Sequence, residues 1–514
     1  MGGSTHKLTS LLGRLLRSLD SKWFASLLLG FGAALRIREY LLNNALYEDE
    51  AALAQNLINK SVAGLWGRLE SNQVAPVGFL MLEKLAVTLF GSNEYSLRLF
   101  PLLFSLASLF LFCEAARRYV TGAVLLFGLG LFAASGYLIH YSAQVKQYTG
   151  DVAIALAVTL AGLHLTSRML TKKRIAWFAS LGAVVIWFSH PSVFVLAGVG
   201  SSLCLAAIWK RDWQRLTRLA VACGIWLFSF ATFFAVSLRN VSVNTTLETS
   251  WDMKGTFMPL PPRSVSELRW FPEALFRFFS NPFPSPFRII AIAVLIIGLF
   301  AIYRSSRQRL LLLTLPVLFT LAASGIHKYP FGKRLILFLI PGIILLIASG
   351  IQLLLSGRMS LQVVGVVLAL LLVVKPLAGA ASHARLGPAT QDIRSIMSYV
   401  KDQRKPGDAI YFYHGQRDAF HYYAPRLGFE EGEYVLGIDP PGKARGPAVR
   451  ETDKQDLDQL RGRGRVWVVF ASVRTYNGIN EEEFMCEYLD GFGRRLEQFK
   501  PAGVAAYLYD TSER

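Results

Sequence analysis

Three consecutive carboxylates, Glu48, Asp49 and Glu50, follow the first long apolar stretch of this sequence by only a few residues. A carboxylate within hydrogen-bond reach of a hydroxyl or amine can take its proton as a general base. Acidic residues also favour the first turn of a helix, where they cap N–H groups and interact well with the helix dipole. The segment is therefore either a helix start or a catalytic centre, for which Asp49 and Glu50 are the candidates.

A second group of candidates combines basic and aromatic side chains near helix ends. It comprises Lys146, Tyr148 and Asp151 in residues 141–151, His327, Lys328, Lys333 and Arg334 in residues 326–334, and Arg98 as a weaker member. Cations of this kind can stabilise negative charge that develops on a leaving group. A Lys or Arg at a helix end also commonly extends its charge to lipid headgroups, and Asp151 could simply pair with Lys146 or cap a helix.

Apolar stretches have to position these residues. The 514-residue chain is 53% hydrophobic and 17% charged, whereas soluble domains are about one quarter charged. Nearly uncharged blocks, each about 17 to 23 residues long, recur from Trp23 to Ala381 and are typical of membrane-spanning helices. The net charge of +19 falls largely in short loops, so we expect membrane lipid rather than nucleic acid as its partner.

Clusters of Lys and Arg follow every second apolar block, as expected if they remain on the cytoplasmic side. This pattern predicts eleven spanning helices with the N-terminus inside. They are expected at residues 23–41, 95–116, 121–136, 151–167, 175–190, 192–209, 219–237, 287–303, 309–325, 334–355 and 360–381. Residues 77–90 are apolar but too short to span, so we expect a surface helix there.

The same topology leaves three long regions on the outer face: a first loop (43–94), a second loop (239–286) and the C-terminal region. The C-terminal region combines charge, turn signals and short apolar runs. Strands are expected at residues 409–413, 466–470 and 504–509, and helices at 392–403 and 481–499. We therefore predict a transmembrane domain over residues 1–384 and a small soluble α/β domain over residues 385–514.

The order of several short motifs resembles the glycosyltransferase C superfamily, in particular the branch with protein O-mannosyltransferases and the lipid A aminoarabinose transferase. The motifs are Asp49-Glu50, the Pro76-initiated helix that ends at Phe90-Gly91, Tyr95-x-x-Arg98-Leu99, and the segments 141–151 and 326–334. The resemblance extends over most of residues 23–355. Ala75 stands before Pro76, where the aminoarabinose transferase has a basic residue, so phosphate contacts are expected from elsewhere.

The resemblance implies an integral membrane glycosyltransferase that moves a sugar from a polyprenyl-phosphate donor to an extracytoplasmic glycan, lipid or protein, with inversion. Asp49 matches the general base and Glu50 its neighbour, whereas Glu48 is expected to tolerate replacement by Gln. Asp151 is expected to orient substrate or to support Asp49. The residues expected at the donor phosphate are Lys146, Tyr148, His327, Lys328, Lys333, Arg334 and Arg98.

The sequence also supports expectations about a cofactor, the cellular location and the class of function. A divalent cation would suit carboxylates and phosphate, but no ligand spacing requires one. We expect a bacterial inner membrane protein whose active site and soluble domain are periplasmic, with the soluble domain binding acceptor. The alternative class is a lipid or solute transporter, which would be expected to show repeat symmetry and ionisable groups near mid-membrane. The sequence shows neither feature.

The topology predicts that Lys172 and Arg358 face the cytoplasm, while Glu70, Asp252 and the domain after Ala381 face the opposite side. Single cysteines at these positions, labelled with a membrane-impermeant maleimide in sealed cells, test this. Labelling is expected only at Glu70, Asp252 and the soluble domain. A soluble domain that is protected from the reagent would contradict the eleven-helix topology.

Overall fold

The structure is a computed structural model that describes residues 22–166, 170–238, 251–386, 392–438, 447–473, 475–476 and 479–512. Most of the N-terminal basic cluster and residues 239–250 of the second loop lie outside the described residues. The chain forms two compact units. The membrane unit comprises Met1–Leu42, Ser61–Arg68 and Val74–Leu386, and the sheet unit comprises Asn43–Lys60, Leu69–Gln73 and Gly387–Arg514.

The described residues contain nineteen α-helices and seven strands, besides shorter helical turns and loops. The helices are α1 (Lys22–Leu41), α2 (Glu48–Asn59), α3 (Val77–Phe90), α4 (Glu94–Ala116), α5 (Gly122–Ala133), α6 (Gly136–His140), α7 (Tyr148–Thr166), α8 (Lys172–Val185), α9 (Ser192–Trp209), α10 (Trp213–Phe233), α11 (Val265–Phe278), α12 (Arg288–Ser305), α13 (Arg307–Gly325), α14 (Ile340–Leu355), α15 (Met359–Leu386), α16 (Ile393–Gln403), α17 (Arg417–Leu427), α18 (Pro447–Asp458) and α19 (Glu481–Asp490). The strands are β1 (Ala409–Phe412), β2 (Val435–Leu436), β3 (Arg465–Ala471), β4 (Thr475–Tyr476), β5 (Ile479–Asn480), β6 (Arg494–Phe499) and β7 (Val504–Asp510).

Each of the eleven predicted spans coincides with a helix of the membrane unit. Within the described residues, eight helices are long and apolar enough to cross a membrane by themselves, and a ninth span arises if α5 and the bent segment after it are joined. The two remaining predicted spans coincide with α1 and α8. Helix α1 carries Arg36, Arg38 and Glu39 near its end, and α8 has only 14 residues. The prediction of a polytopic helical membrane protein is confirmed.

Arg36 shows how a charge is accommodated within the first predicted span. The chain bends by 51° after α5, and the bend leaves the last carbonyls of that helix without helical partners. The Arg36 guanidinium, which is fully buried, donates to the carbonyls of Ala133 at 3.1 Å and Phe132 at 3.4 Å, and to the Ser105 hydroxyl at 2.9 Å. Arg36 therefore caps the C-terminus of α5 and stabilises the bend.

Small residues allow α12 and α14 to pack closely. A Cβ added to Gly298 would overlap the carbonyl of Leu346, and one added to Gly350 would overlap the carbonyl of Val294. Small residues at such positions let helix backbones approach in membranes, where apolar surface gains little from leaving lipid. The two glycines therefore set the distance between these helices.

The sheet unit contains a five-stranded sheet in the order β2-β1-β3-β7-β6. Strand β1 is parallel to β2 and β3, whereas β7 is antiparallel to β3 and β6. Buried apolar residues on β3 and β7, including Val466, Val468 and Ala505, pack with Leu489 of α19. This arrangement confirms the predicted small α/β domain.

The first loop contributes helix α2 to the same unit. The apolar face of α2, with Ala51, Leu53 and Leu57 buried, packs against α17. The predicted domain boundary near residue 384 falls in the last turn of α15.

One local prediction in the soluble domain is wrong. Residues 481–499 were expected to be a single helix, but α19 ends at Asp490 and residues 494–499 form strand β6. Glycines at 491 and 493 interrupt the helix, and β6 pairs with β7 along the edge of the sheet. Pairing with a buried strand thus overrides the helical pattern of its charged residues.

Replacing Gly298 with Ala should destabilise the membrane unit by about 1 to 3 kcal/mol, because overpacking forces backbone shifts. The apparent unfolding temperature in detergent should fall accordingly. Gly224→Ala in α10 is the matched control, since nothing lies within 4 Å of a Cβ at that position. Equal unfolding temperatures for the two variants would contradict the close α12–α14 packing.

Candidate functional site

The three carboxylates of the first loop lie at the start of α2, and Glu50 has a structural contact there. Tyr47 is the N-cap residue, and its backbone N–H donates to Glu50 Oε2 at 3.1 Å. Glu50 is fully buried. Its carboxylate therefore satisfies one of the N–H groups that a helix start leaves without a helical partner.

Glu48 faces the soluble domain. Its two carboxylate oxygens accept the backbone N–H groups of Asp418 at 2.9 Å and Ala419 at 3.0 Å. Asp49 lies between Glu48 and Glu50 in the first turn of α2, where its side chain is partly buried. The predicted base thus follows a carboxylate that is already bound to another helix.

In the membrane unit, Asp151 lies among polar and aromatic side chains at the start of α7. It is 5% exposed, the side chain of Ser189 lies beside it, and Tyr329 is close enough for an electrostatic interaction. Its Oδ1 has no hydrogen-bond partner within the described ranges.

Three cations lie in the same region as these aromatic residues. The Arg334 guanidinium lies 5.6 Å from the ring centroid of Tyr148, and Lys333 precedes it in the chain. Burial, followed by the positive charges of Lys333 and Arg334, lowers the pKa of the Lys254 ammonium from its ordinary value. A cation whose pKa is lowered by neighbouring positive charges favours a bound anion, because an anion relieves that repulsion.

Hydrogen bonds between the second loop and the neighbouring segments hold this cation cluster (Lys254, Lys333 and Arg334) in place. The N–H of Phe331 donates to the carbonyl of Thr256 at 2.9 Å, and the N–H of Met258 donates to the Ser324 hydroxyl at 2.9 Å. The indole N–H of Trp270 on α11 donates to the carbonyl of Gly255 at 2.9 Å. The second loop is thereby fixed against the segment that carries Lys333 and Arg334.

Backbone conformation also marks the segment between residues 327 and 333. His327 has φ of 56° and Lys333 has φ of 50°, values in the left-handed region that non-glycine residues rarely adopt. Such residues persist where the surrounding structure holds them, and they are common at ligand sites. His327 is exposed and stacks on Phe257 at 4.7 Å, and Lys328 is exposed beside it.

The remaining predicted phosphate-site residues are buried near the same helix ends. Lys146 is 5% exposed and Arg98 is 2% exposed. The hydroxyl of Thr149 donates to the carbonyl of Pro101 at 2.9 Å, which joins the start of α7 to the first turns of α4, where Arg98 lies. Tyr148 packs edge-on against Tyr141 at 5.1 Å.

The structure therefore divides the predicted site residues between its two units. Tyr148, Asp151 and Arg334 lie together in the membrane unit, whereas Asp49 and Glu50 belong to the sheet unit. Within the parts of the chain that are described, no three His, Cys, Asp or Glu side chains converge as a metal site.

Sequence reasoning missed Lys254 and the partner of Glu48. Lys254 lies in the second loop and its ammonium is 4.6 Å from the ring centroid of Trp251. A cation beside an aromatic residue in a predicted outer loop was the signal that could have identified it. No local signal in the sequence connects Glu48 with Asp418.

Comparison with known proteins adds information at the level of fold. No family model matches the sequence, and no curated protein matches it. Among solved structures, ArnT from Cupriavidus metallidurans bound to undecaprenyl phosphate matches with a TM-score of 0.54 and 12% identity, over 95% of this chain and 98% of that chain. The apo form of ArnT matches with a TM-score of 0.53 and 12% identity, over 93% and 97% of the two chains.

A second solved protein shares the architecture. The oligosaccharyltransferase from Archaeoglobus fulgidus, solved with zinc and sulfate, matches with a TM-score of 0.51 and 10% identity, over 94% of this chain and 73% of that chain. At these identities the likeness is one of fold.

Proposed function

We propose that this chain, whose fold is that of the glycosyltransferase C superfamily, is a membrane glycosyltransferase that uses a polyprenyl-phosphate sugar. The observation that carries the proposal is the cation cluster of Lys254, Lys333 and Arg334, which the hydrogen bond between Phe331 and Thr256 and the contact of Arg334 with Tyr148 hold beside the start of α7, in a chain that matches ArnT over nearly its whole length. The ArnT structure contains undecaprenyl phosphate. A transporter, the alternative class, gains no support from the structures reported above.

The proposed acceptor is an extracytoplasmic glycan, lipid or protein with a nucleophilic hydroxyl or amine, and the transferred sugar is a hexose or pentose. The transmembrane domain (residues 1–384) binds the donor lipid, and the soluble domain (residues 385–514) contributes to acceptor binding. In a bacterial inner membrane, both the active site and the soluble domain would be periplasmic. This assignment follows the charge asymmetry of the short loops.

The cation cluster would bind the donor phosphate. As the bond from the anomeric carbon to the phosphate oxygen breaks, negative charge grows on the leaving polyprenyl phosphate. Preorganised cations stabilise that charge, and the Arg334 guanidinium can bind two phosphate oxygens at once. Tyr148 supports Arg334 through its ring face.

Asp49 would act as the general base. The acceptor O–H or N–H transfers its proton to the Asp49 carboxylate while the acceptor atom forms the new bond at the anomeric carbon. Direct displacement of polyprenyl phosphate inverts that carbon and needs no nucleophile from the protein. Asp151 is assigned an orienting role because its buried Oδ1 can accept a substrate hydroxyl. Glu50 is assigned to the helix start that its carboxylate caps.

Removing a cation from the cluster should weaken donor binding. Lys254→Ala or Arg334→Ala should raise the dissociation constant of undecaprenyl phosphate about 10- to 150-fold, the cost of losing a charge-assisted hydrogen bond of about 1.5 to 3 kcal/mol. Native mass spectrometry of detergent-solubilised protein, titrated with undecaprenyl phosphate, measures this. Arg263→Ala, an exposed cation in the same loop, is the matched control.

The same titration has a predicted pH dependence. The pKa of Lys254 is lowered, so its ammonium loses its proton at a lower pH than an ordinary lysine does. As the pH rises, the affinity of the wild type for undecaprenyl phosphate should therefore begin to fall at that lower pH. In Lys254→Ala this part of the decline should be absent. Wild-type affinity in both alanine variants would mean that these cations serve only as interfacial anchors.

Replacing Asp49 with Asn should lower turnover by about 10² to 10⁴-fold, the usual contribution of a positioned general base. Transfer from polyprenyl-phosphate sugars, measured in proteoliposomes, provides the assay, and undecaprenyl-phosphate binding should be unchanged. Asn interacts with a helix start about as well as Asp does, so a helix-start role predicts normal turnover. If Asp49→Asn retained turnover while Asp151→Asn abolished it, the base would be Asp151.

A further inference from the structure

We propose that Glu48 and Asp418 form a tether through which the soluble domain positions the Asp49 carboxylate, a role that rests on the glycosyltransferase function proposed above. Glu48 and Asp418 are positioning residues in this scheme, because neither is assigned a contact with substrate. The proposal gives the soluble domain a part in the transfer step itself, in addition to acceptor binding.

The tether begins with a helix cap supplied from a distant part of the chain. Helix α17 starts at Arg417, and its own N-cap residue, Gln416, provides no side-chain cap. The N–H groups of Asp418 and Ala419 donate instead to the two oxygens of Glu48, which lies 370 residues from Asp418. A carboxylate at this position gains from both hydrogen bonds and from the positive end of the helix dipole.

Asp418 meets the first loop at two further points. Its backbone carbonyl accepts from Gln55 Nε2 at 2.6 Å, and its Oδ1 accepts from the Ser71 hydroxyl at 3.1 Å. One residue of α17 therefore bonds to three residues of the first loop. Its N–H, its carbonyl and its side chain are all hydrogen-bonded to that loop.

Two further hydrogen bonds extend the contact towards the start of the loop. The N–H of Leu46 donates to the Tyr423 hydroxyl at 2.9 Å, and Arg394 Nη2 donates to the carbonyl of Asn43 at 2.8 Å. Leu46 and Tyr423 are both almost completely buried. The segment before Asp49 is thus bonded to α16 and α17, and α2 after it is packed on α17 by its apolar face.

The consequence for Asp49 follows from its position directly after Glu48. A general base works only within hydrogen-bond reach of the proton that it removes, and a displacement of about 1 Å can cost roughly 100-fold in rate. Loss of the Glu48 cap would loosen the first turn of α2, which carries Asp49, although the other contacts of the first loop remain. The donor site lies in the other unit and should keep its affinity.

The test compares Glu48→Ala with Glu48→Gln, which keeps one acceptor oxygen, and with Gln55→Ala, which removes a second contact without uncapping a helix. Glu70→Ala is the control. Glu70 carries a carboxylate on the same loop, paired with Lys60 at 2.9 Å and largely exposed, and such pairs contribute little. Rates are divided by the fraction of chains that bind undecaprenyl phosphate, so that misfolded protein does not count.

Glu48→Ala should lower kcat about 10- to 100-fold with donor KM unchanged. Glu48→Gln should recover most of the loss, Gln55→Ala should show a smaller decrease, and Glu70→Ala should match the wild type. If Glu48 acts through Asp49, the kcat of the double variant Glu48→Ala with Asp49→Asn should lie less than about threefold below that of Asp49→Asn alone. Residues that act as a unit do not have additive effects. If the kcat decreases of the two single variants instead multiplied in the double variant, the two residues would act independently and the proposal would be overturned.

Hydrogen exchange of the full-length protein tests the tether without any assay of transfer. Glu48→Ala should accelerate exchange in peptides from residues 43–60 and from the first turn of α17, and leave peptides from α12 and α14 unchanged. Unchanged exchange together with wild-type kcat in Glu48→Ala would overturn the tether. Absence of transfer in the wild type would count against the glycosyltransferase proposal, and the exchange measurement would still decide whether the tether exists.

Discussion

Backbone polar groups inside a bilayer must find partners within the protein, and the structure of the membrane unit depends on how this is done where helices are interrupted. After α5 the Arg36 guanidinium provides these partners, because it donates to the carbonyls of Phe132 and Ala133. Before α14 the chain tightens into a 3-10 helix, and the Tyr329 hydroxyl donates to the carbonyl of Leu335 at 2.8 Å. The candidate donor-site residues lie beside these two interruptions, on backbone that neighbouring helices hold in place.

The membrane helices could be predicted from sequence because hydropathy and loop charge act locally. Each apolar block has to be about as long as the bilayer is thick, and each Lys and Arg cluster has a preferred side. The superfamily resemblance rested on short motifs such as Asp49-Glu50 and Tyr95-x-x-Arg98, and it is confirmed at the level of fold. In the soluble domain the runs at 409–413, 466–470 and 504–509 were recognisable because all three strands are buried.

What could not be predicted depends on contacts between distant segments. Lys254 belongs with Lys333 and Arg334 only because the second loop pairs with the chain near Phe331. Strand β6 is largely exposed and half of its residues are charged, so its pattern gave no sign of the sheet edge that it completes. Glu48 was expected only to tolerate replacement by Gln, and no role was assigned to it from its neighbours in sequence. Its partner lies in a helix near the other end of the chain.

The distance in sequence between Glu48 and Asp418 has a consequence for biosynthesis. The first loop leaves the ribosome long before α17 exists, and at about 5 to 20 residues per second it would wait roughly 20 to 75 s for its partner. During that interval the N–H groups that will bind Glu48 have not been made. The cap on α17 and the contacts of the first loop with it can therefore form only after residues 417–427 have been synthesised.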